Sequence, residues 1–260
     1  MPATASEPVP AFSMIVPFFN EEAVAFRIVH ELCRELARLP GSWEAILIND
    51  GSTDATAREL ERAALPWSNC RVLHLPANRG QGAALWHGIQ AARAPVLGMM
   101  DGDGQNVPAD IPALLPLLAG ADLVNGIRAD RHDSRLRRTM SRIANRVRGR
   151  LLRDGVCDAG CALKVFRREV IANLMPVHML NPFIPAFAVA GGFRVIERAV
   201  AHRPRLGGES KYGLRVLLWR PLLDTLAIAW LLRRRPAARA AAVRVVSTEP
   251  VMAPAEPSLR

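Results

Sequence analysis

Lysine is nearly missing from this chain: Lys164 and Lys211 are the only two among 34 basic residues. Arginine therefore carries almost all of a formal net charge of +10. Such a surplus narrows the partners to anionic ones: nucleic acid, a nucleotide or an acidic membrane surface. Cysteine is scarce too. Cys33, Cys70, Cys157 and Cys161 show no zinc-type paired spacing, which argues for structural thiols in a reducing compartment over a metal site or a disulfide framework. Aromatic residues make up 5% of the chain, and none interleaves with the densest arginines, so stacking on nucleic-acid bases is not expected. Long apolar runs are absent as well. Leu214 to Leu232 is broken by Arg215, Arg220, Pro221 and Asp224, whereas a spanning helix needs about 20 mostly apolar residues. Met1 to Ala11 has no basic start followed by an apolar core, so no signal peptide is expected and the protein is placed in the cytosol. No internal repeat is evident.

What is present is core-forming material. Half of the 260 residues are hydrophobic and 22% are charged, enough for one large domain with appendages. The expected division is a disordered tail over 1–10, a catalytic domain over 11–213, a membrane-interface helical segment over 214–235 and a disordered tail over 236–260.

Apolar runs at Phe12–Val16 (stopped by Pro17), Glu44–Ile48, Arg71–Leu75 and Val96–Met100 read as buried strands. Between them lie helical patterns. Asn20-Glu21-Glu22 is read as opening the first, with Val24, Ile28, Leu32, Leu36 and Leu39 at helical spacing. Asn49-Asp50-Gly51-Ser52-Thr53-Asp54 forms a turn whose end can cap a helix over Ala55–Ala64, and a third helix follows Asn78-Arg79-Gly80-Gln81-Gly82. Four strand–loop–helix units predict a mainly parallel α/β sheet with helices on both faces. In such sheets ligands sit beyond the carboxyl ends of the strands. Every polar cluster just named falls at one of those ends, and so does Asp101-Gly102-Asp103-Gly104-Gln105. One Asp-Gly turn is ordinary turn chemistry, but four converging polar strand ends describe a site. Asp101 and Asp103 would then offer hard oxygen ligands to Mg²⁺ or Mn²⁺, with open positions left for substrate phosphates.

Val16-Pro-Phe-Phe-Asn-Glu-Glu22, Asn49 to Asp54, Asn78 to Ala83 and Asp101 to Gln105 resemble the serial motifs of family 2 glycosyltransferases with the Rossmann-like GT-A fold. The nearest subgroup is the polyprenyl (dolichyl)-phosphate mannosyl- and glucosyltransferases, and the resemblance runs over roughly 12–215. Where the family usually carries Asp before the equivalent of Asp50, this chain has Asn49. The resemblance implies that Pro17, Asn20, Glu22, Asp50, Ser52, Gly80, Gly82 and Asp101 bind the nucleotide sugar. It implies further that Asp101, Asp103 and Gln105 hold the cation. Bland readings stand beside these, since Asp50 and Ser52 could serve only as helix caps.

The stretch from Arg128 to Arg153 holds ten arginines against two aspartates, with Leu136, Met140, Ile143, Val147 and Leu151 in one helical stripe. A basic amphipathic helix over Arg135–Arg153 suits a membrane surface. A solvated face packed on the sheet is the plain alternative. The resemblance assigns Arg128, Arg137, Ser141 and Lys211 to the phosphate of a lipid acceptor, a task that suits the forked guanidinium. Asp158 is read as orienting acceptor-side groups, because a phosphate monoester is already ionised near neutral pH and needs no base. Lys211 stands out on composition, as a lysine where the chain otherwise writes arginine. Trp219, Trp230 and Arg233-Arg234-Arg235 read as interface anchors on one or two interfacial helices.

The expected activity is transfer of a hexosyl group from a nucleotide sugar (GDP-mannose or a UDP-hexose) to a polyprenyl phosphate, with inversion. Its place is the cytosolic membrane face, bound peripherally or monotopically, with Asp101, Asp103, Arg128 and Lys211 as the catalytic set. Nucleic acid is not an expected partner, and a homo-oligomer or membrane-protein partner is left open. A GT-A transferase with another acceptor is the first alternative. A sugar-phosphate nucleotidyltransferase would need a Gly-rich basic loop where Pro17-Phe18-Phe19-Asn20-Glu21 stands. A non-enzymatic basic membrane-binding protein explains the arginines but not the strand ends.

Overall fold

A computed structural model describes residues 8–129, 146–204 and 214–234, with the backbone alone over 214–222. Its centre is a sheet whose first four strands, β1 (Phe12–Phe18), β2 (Trp43–Asn49), β3 (Cys70–His74) and β4 (Val96–Met99), run parallel. Three helices connect them: α1 (Ala25–Leu36), α2 (Thr56–Ala64) and α3 (Gln81–Ala91). After β4 come a short helix α4 (Ile111–Leu114), β5 (Leu123–Arg128), helical residues 146–152 (α5), β6 (Lys164–Arg167), α6 (Leu180–Ala190), β7 (Val195–Val200) and α7 (Leu214–Arg234). The strand order is β3-β2-β1-β4-β6-β5-β7. β6 runs against both β4 and β5, while β5 and β7 are parallel. Consequently β5 and β7 end at the same sheet edge as β1 to β4. This is the mixed, mainly parallel sheet with helices on both faces that the sequence led one to expect.

Period-two alternation divides the core. Phe12, Met14, Val16, Phe18, Ala45 and Leu47 face α1 and α2, whereas Ile15, Ile46 and Ile48 face α3 and α6. Helices thus cover both faces, and the inner strands read as continuous apolar runs for that reason. Burial of this kind is the main stabilising contribution, about 25 cal/mol per Å² of apolar surface.

Several boundaries shift by a residue from the sequence reading, and two larger differences bear on the site. β1 continues through Pro17 to Phe18, pairing Pro17 with Ile48. Ile15 accepts the Met100 N–H on the β4 side and Phe18 accepts the Asp50 N–H on the β2 side. Pro17 therefore turns its nitrogen toward β4, whose pairing with β1 has already stopped at Met99, and the proline forfeits no ladder bond. The first helix opens at Ala25 and not at Asn20 to Glu22, because those residues are bonded to the next loop, as described below. The C-terminal segment is one helix, α7, and none of the described helices is long and apolar enough to cross a membrane. The proposed tails fall largely outside the described residues, as does the basic helix before residue 146.

Candidate active site

The first two loops at the carboxyl edge are laced together. Asn20 sits at φ 52°, a left-handed conformation that asparagine tolerates better than most residues. Its N–H donates to Ser52 Oγ at 3.0 Å, and its Oδ1 accepts the Thr53 N–H at 2.8 Å. Glu21 N–H donates to Thr56 Oγ1 and Ala55 N–H donates to Glu22 Oε2, each at 2.8 Å. Asp54 Oδ1 accepts the Thr56 N–H at 3.0 Å just ahead of α2. Asp50 is buried and holds the third loop: its carboxylate accepts the Arg79 and Gly80 N–H groups and Asn78 Nδ2, each at 2.9 Å. Asn49 accepts the Ser52 N–H at 3.0 Å and lies 3.1 Å from His74 Nδ1. Asn20, Glu22, Asp50 and Ser52 therefore all bond to neighbouring backbone at this edge, and Pro17 lies at the end of β1 opposite Ile48. Gly80 takes φ 87° at the start of α3, and a Cβ on Gly82 would run into the carbonyls of Val177 and His178.

Two carboxylates meet beyond β4. Asp101 accepts a short hydrogen bond from Gln81 Nε2, and its own N–H donates to Asn106 Oδ1 at 3.1 Å. Asp103 Oδ1 accepts the Gln105 N–H at 3.1 Å, and Gln105 Nε2 lies 3.3 Å from His202 Nε2. Desolvation, then repulsion from Asp103, pushes the Asp101 carboxyl up to about 7, although Lys164, Gln81 and Arg128 pull the other way. Two carboxylates that repel one another are a donor set that a divalent cation would relieve. Among the described residues no group of three or more His, Cys, Asp or Glu could hold a metal. Asp101 and Asp103 would offer a cation two carboxylates, and it would take its remaining ligands from substrate oxygens or water.

Arg128 closes β5 on this same edge. Its Nε and Nη2 donate to Asp158 Oδ2 and Oδ1 at 2.8 and 2.7 Å, a bidentate pair reinforced by the Arg128 N–H at 3.2 Å. Of the other acceptor-side residues read from the sequence, Arg137, Ser141 and Lys211 lie outside the described residues.

Five further residues enter the site that the sequence reading assigned no role: Gln81, Asn125, Lys164, Glu197 and His202. Asn125 Nδ2 reaches Glu197 Oε1 at 3.1 Å. Lys164 is fully buried, and burial pushes its ammonium down to about 8 while Cys161, Asp158 and Asp101 oppose that shift. The rarity that marked Lys211 marks Lys164 equally, so composition already carried a signal for it.

The family model described as "Glycosyl transferase family 2" matches residues 13–175. The chain is 38% identical over 232 residues to dodecaprenyl-phosphate galacturonate synthase of Rhizobium johnstonii, covering 85% of this chain and 67% of that one. It is 36% identical over 217 residues to undecaprenyl-phosphate 4-deoxy-4-formamido-L-arabinose transferase of Pseudomonas paraeruginosa, covering 81% and 63%. The chain thus spans about two thirds of the length of these curated relatives. Among solved structures, glucosyl-3-phosphoglycerate synthase of Mycobacterium tuberculosis, in complex with Mn²⁺, UDP-glucose and glycerol 3-phosphate, aligns with a TM-score of 0.64 at 19% identity. That alignment covers 85% of this chain and 80% of the other. A second structure of that enzyme, with Mg²⁺ and UDP, gives 0.63 at 18% identity over 85% and 79%. Likeness at this identity speaks for the fold, while the family model and the sequence relatives speak for descent: the chain belongs to glycosyl transferase family 2.

Proposed function

We propose that this protein transfers a glycosyl group from a nucleotide sugar to a polyprenyl phosphate, with inversion, at the cytosolic face of a membrane. The observation that carries the reading is the acceptor: both sequence relatives named above are called polyprenyl-phosphate sugar transferases. Their sugars, galacturonate and a formamido-arabinose, weigh toward a modified or acidic sugar and away from mannose or glucose. In this reading Pro17, Asn20, Glu22, Asp50 and Ser52, with Gly80 and Gly82, receive the nucleotide. Asp101 and Asp103, with Gln105 acting directly or through water, would hold Mg²⁺ or Mn²⁺. A cation held there would neutralise the charge gained by the departing nucleoside diphosphate. Arg128, joined by Arg137, Ser141 and Lys211, would bring the acceptor phosphate into line with the anomeric carbon. That phosphate is ionised near neutral pH, so Asp158 serves as the partner that orients Arg128 and not as a base.

Attachment is assigned to α7. Thr225, Ile228 and Ala229 are buried against the domain, whereas Leu223, Leu226 and Trp230 are exposed on the other side of the helix. The Arg234 guanidinium lies 4.9 Å from the Trp230 ring centre. An exposed apolar stripe ending in Arg233 and Arg234 suits an anionic lipid surface. Trp230→Ala with Leu226→Asp is expected to lower binding to phosphatidylglycerol vesicles in a flotation assay, with transfer to a water-soluble short-chain acceptor retained.

A screen of radiolabelled nucleotide sugars against undecaprenyl phosphate, followed by extraction into organic solvent, tests the reaction. One donor should place label in the lipid phase. Label from none of them would remove the acceptor assignment.

A further inference from the structure

The turn over 157–161 is gripped at its two ends by opposite charges. At its start Glu197, on β7, accepts the Cys157 N–H at 2.8 Å and the Asp158 N–H at 3.1 Å. Asn125 ties this end down again, donating from Nδ2 to Glu197 Oε1 and to the Asp158 carbonyl, each at 3.1 Å. At the far end Lys164, on β6, donates from Nζ to the carbonyls of Ala159 (3.3 Å) and Cys161, and to Asn181 Oδ1 at 2.7 Å. The carboxylate takes amide hydrogens and the ammonium takes carbonyl oxygens, so both charges act in the sense of the local peptide dipoles. Between the two grips stands Asp158, bonded to Arg128 by both oxygens. A Cβ at Gly160 would stand 3.2 Å from Arg128 Nη2, so the guanidinium lies close over the turn itself. Few degrees of freedom remain to the Arg128–Asp158 plane once both ends of the turn are held.

We propose that Lys164 and Glu197 are positioning residues: by clamping the 157–161 turn they fix Asp158, and through it the plane in which Arg128 meets an anionic acceptor. The last step rests on the acceptor reading of Arg128 given above; the clamp itself does not. A buried ammonium is a costly way to hold a turn that neutral groups could hold. The return is a counter-charge beside a carboxylate-rich site and a turn that cannot rock when a second anion arrives.

Lys164→Met keeps the stem and removes the charge, and Glu197→Gln keeps the shape. In the transfer assay each is expected to raise the acceptor KM about tenfold, as losses of supporting hydrogen bonds around a site commonly do, with the nucleotide-sugar KM unchanged. Both effects should vanish in an Arg128→Ala background, which a purely structural role would not produce. Equal losses for donor and acceptor, or effects that add to Arg128→Ala, would overturn the proposal. The direct readout is the ¹⁵N resonance of Arg128 Nε–H, assigned by its loss in Arg128→Lys. It should exchange slowly with water in the wild type and rapidly in both variants. If Arg128→Ala leaves the acceptor KM untouched, the acceptor reading fails and this resonance alone decides the clamp. An unchanged resonance in the two variants overturns it, and Glu197→Gln carries the measurement if Lys164→Met does not fold.

Discussion

Glu44 and Asp101, at opposite ends of the sheet, are handled in opposite ways. At the amino end Glu44 is buried within β2 and fully partnered. It accepts the Ser13 hydroxyl at 2.6 Å, the Arg93 N–H at 2.7 Å, Arg71 Nη2 at 2.8 Å and Arg93 Nε at 3.2 Å. Burial works to raise its pKa, but the bonds from Ser13 and the Arg93 backbone, with the charge of Arg71, win and hold it below the ordinary 4.5. At the carboxyl end desolvation, then repulsion from Asp103, pushes the Asp101 carboxyl up to about 7. One end satisfies its charge and gains stability. The other sets two carboxylates against each other, an arrangement that a bound cation would relieve.

Mutation should separate the two ends. Asp103→Ala is expected to have the largest effect, a loss of transfer on the order of a thousandfold, with thermal unfolding unchanged within about 0.5 kcal/mol. Retained activity would remove the metal role. Glu44→Gln should do the reverse, lowering stability in urea titrations by about 3 kcal/mol, because two arginines and a hydroxyl lose a buried charge. Its activity per folded molecule should match the wild type. Acid sharpens the point. A carboxylate whose folded pKa is depressed contributes stability that is fully present above its unfolded value and is lost as pH falls through the folded one. The gap between wild type and Glu44→Gln should therefore narrow steadily from about pH 5 downward, and a constant gap would mean that Glu44 acts through packing alone. The smallest effect belongs to Arg71→Ala. This side chain is 38% exposed and Arg93 remains on the carboxylate, so about 1 kcal/mol is expected.

Local chemistry made much of this legible in advance. A parallel strand covered on both faces must be a short apolar run, and it must end in a turn. Ile15-Val16, Ile46 to Ile48 and Leu97 to Met99 therefore declare both the strands and the polar loops that follow them. The lacing of Asn20 to Thr53 and Glu22 to Ala55 was hidden, because acidic residues before an apolar period are also what a helix start looks like. Lys164 was half-visible: its rarity and the apolar run around it were on the page, but nothing nearby in sequence says which strands it lies between.

By itself, then, the sequence determined the apolar strand runs, the paired aspartates beyond β4 and the cationic character of the stretch from Arg128 to Arg153, since each depends on residues within a few positions of one another. Only the tertiary structure decided the clamp. β6 inserts antiparallel between β4 and β5, which sets Lys164 opposite Met99 on one side and Asn125 on the other. β7 then pairs with β5 and places Glu197 opposite Asn125. Strand order is a property of the whole core, and no local pattern encodes that residues 125, 164 and 197 will close on the turn that carries Asp158.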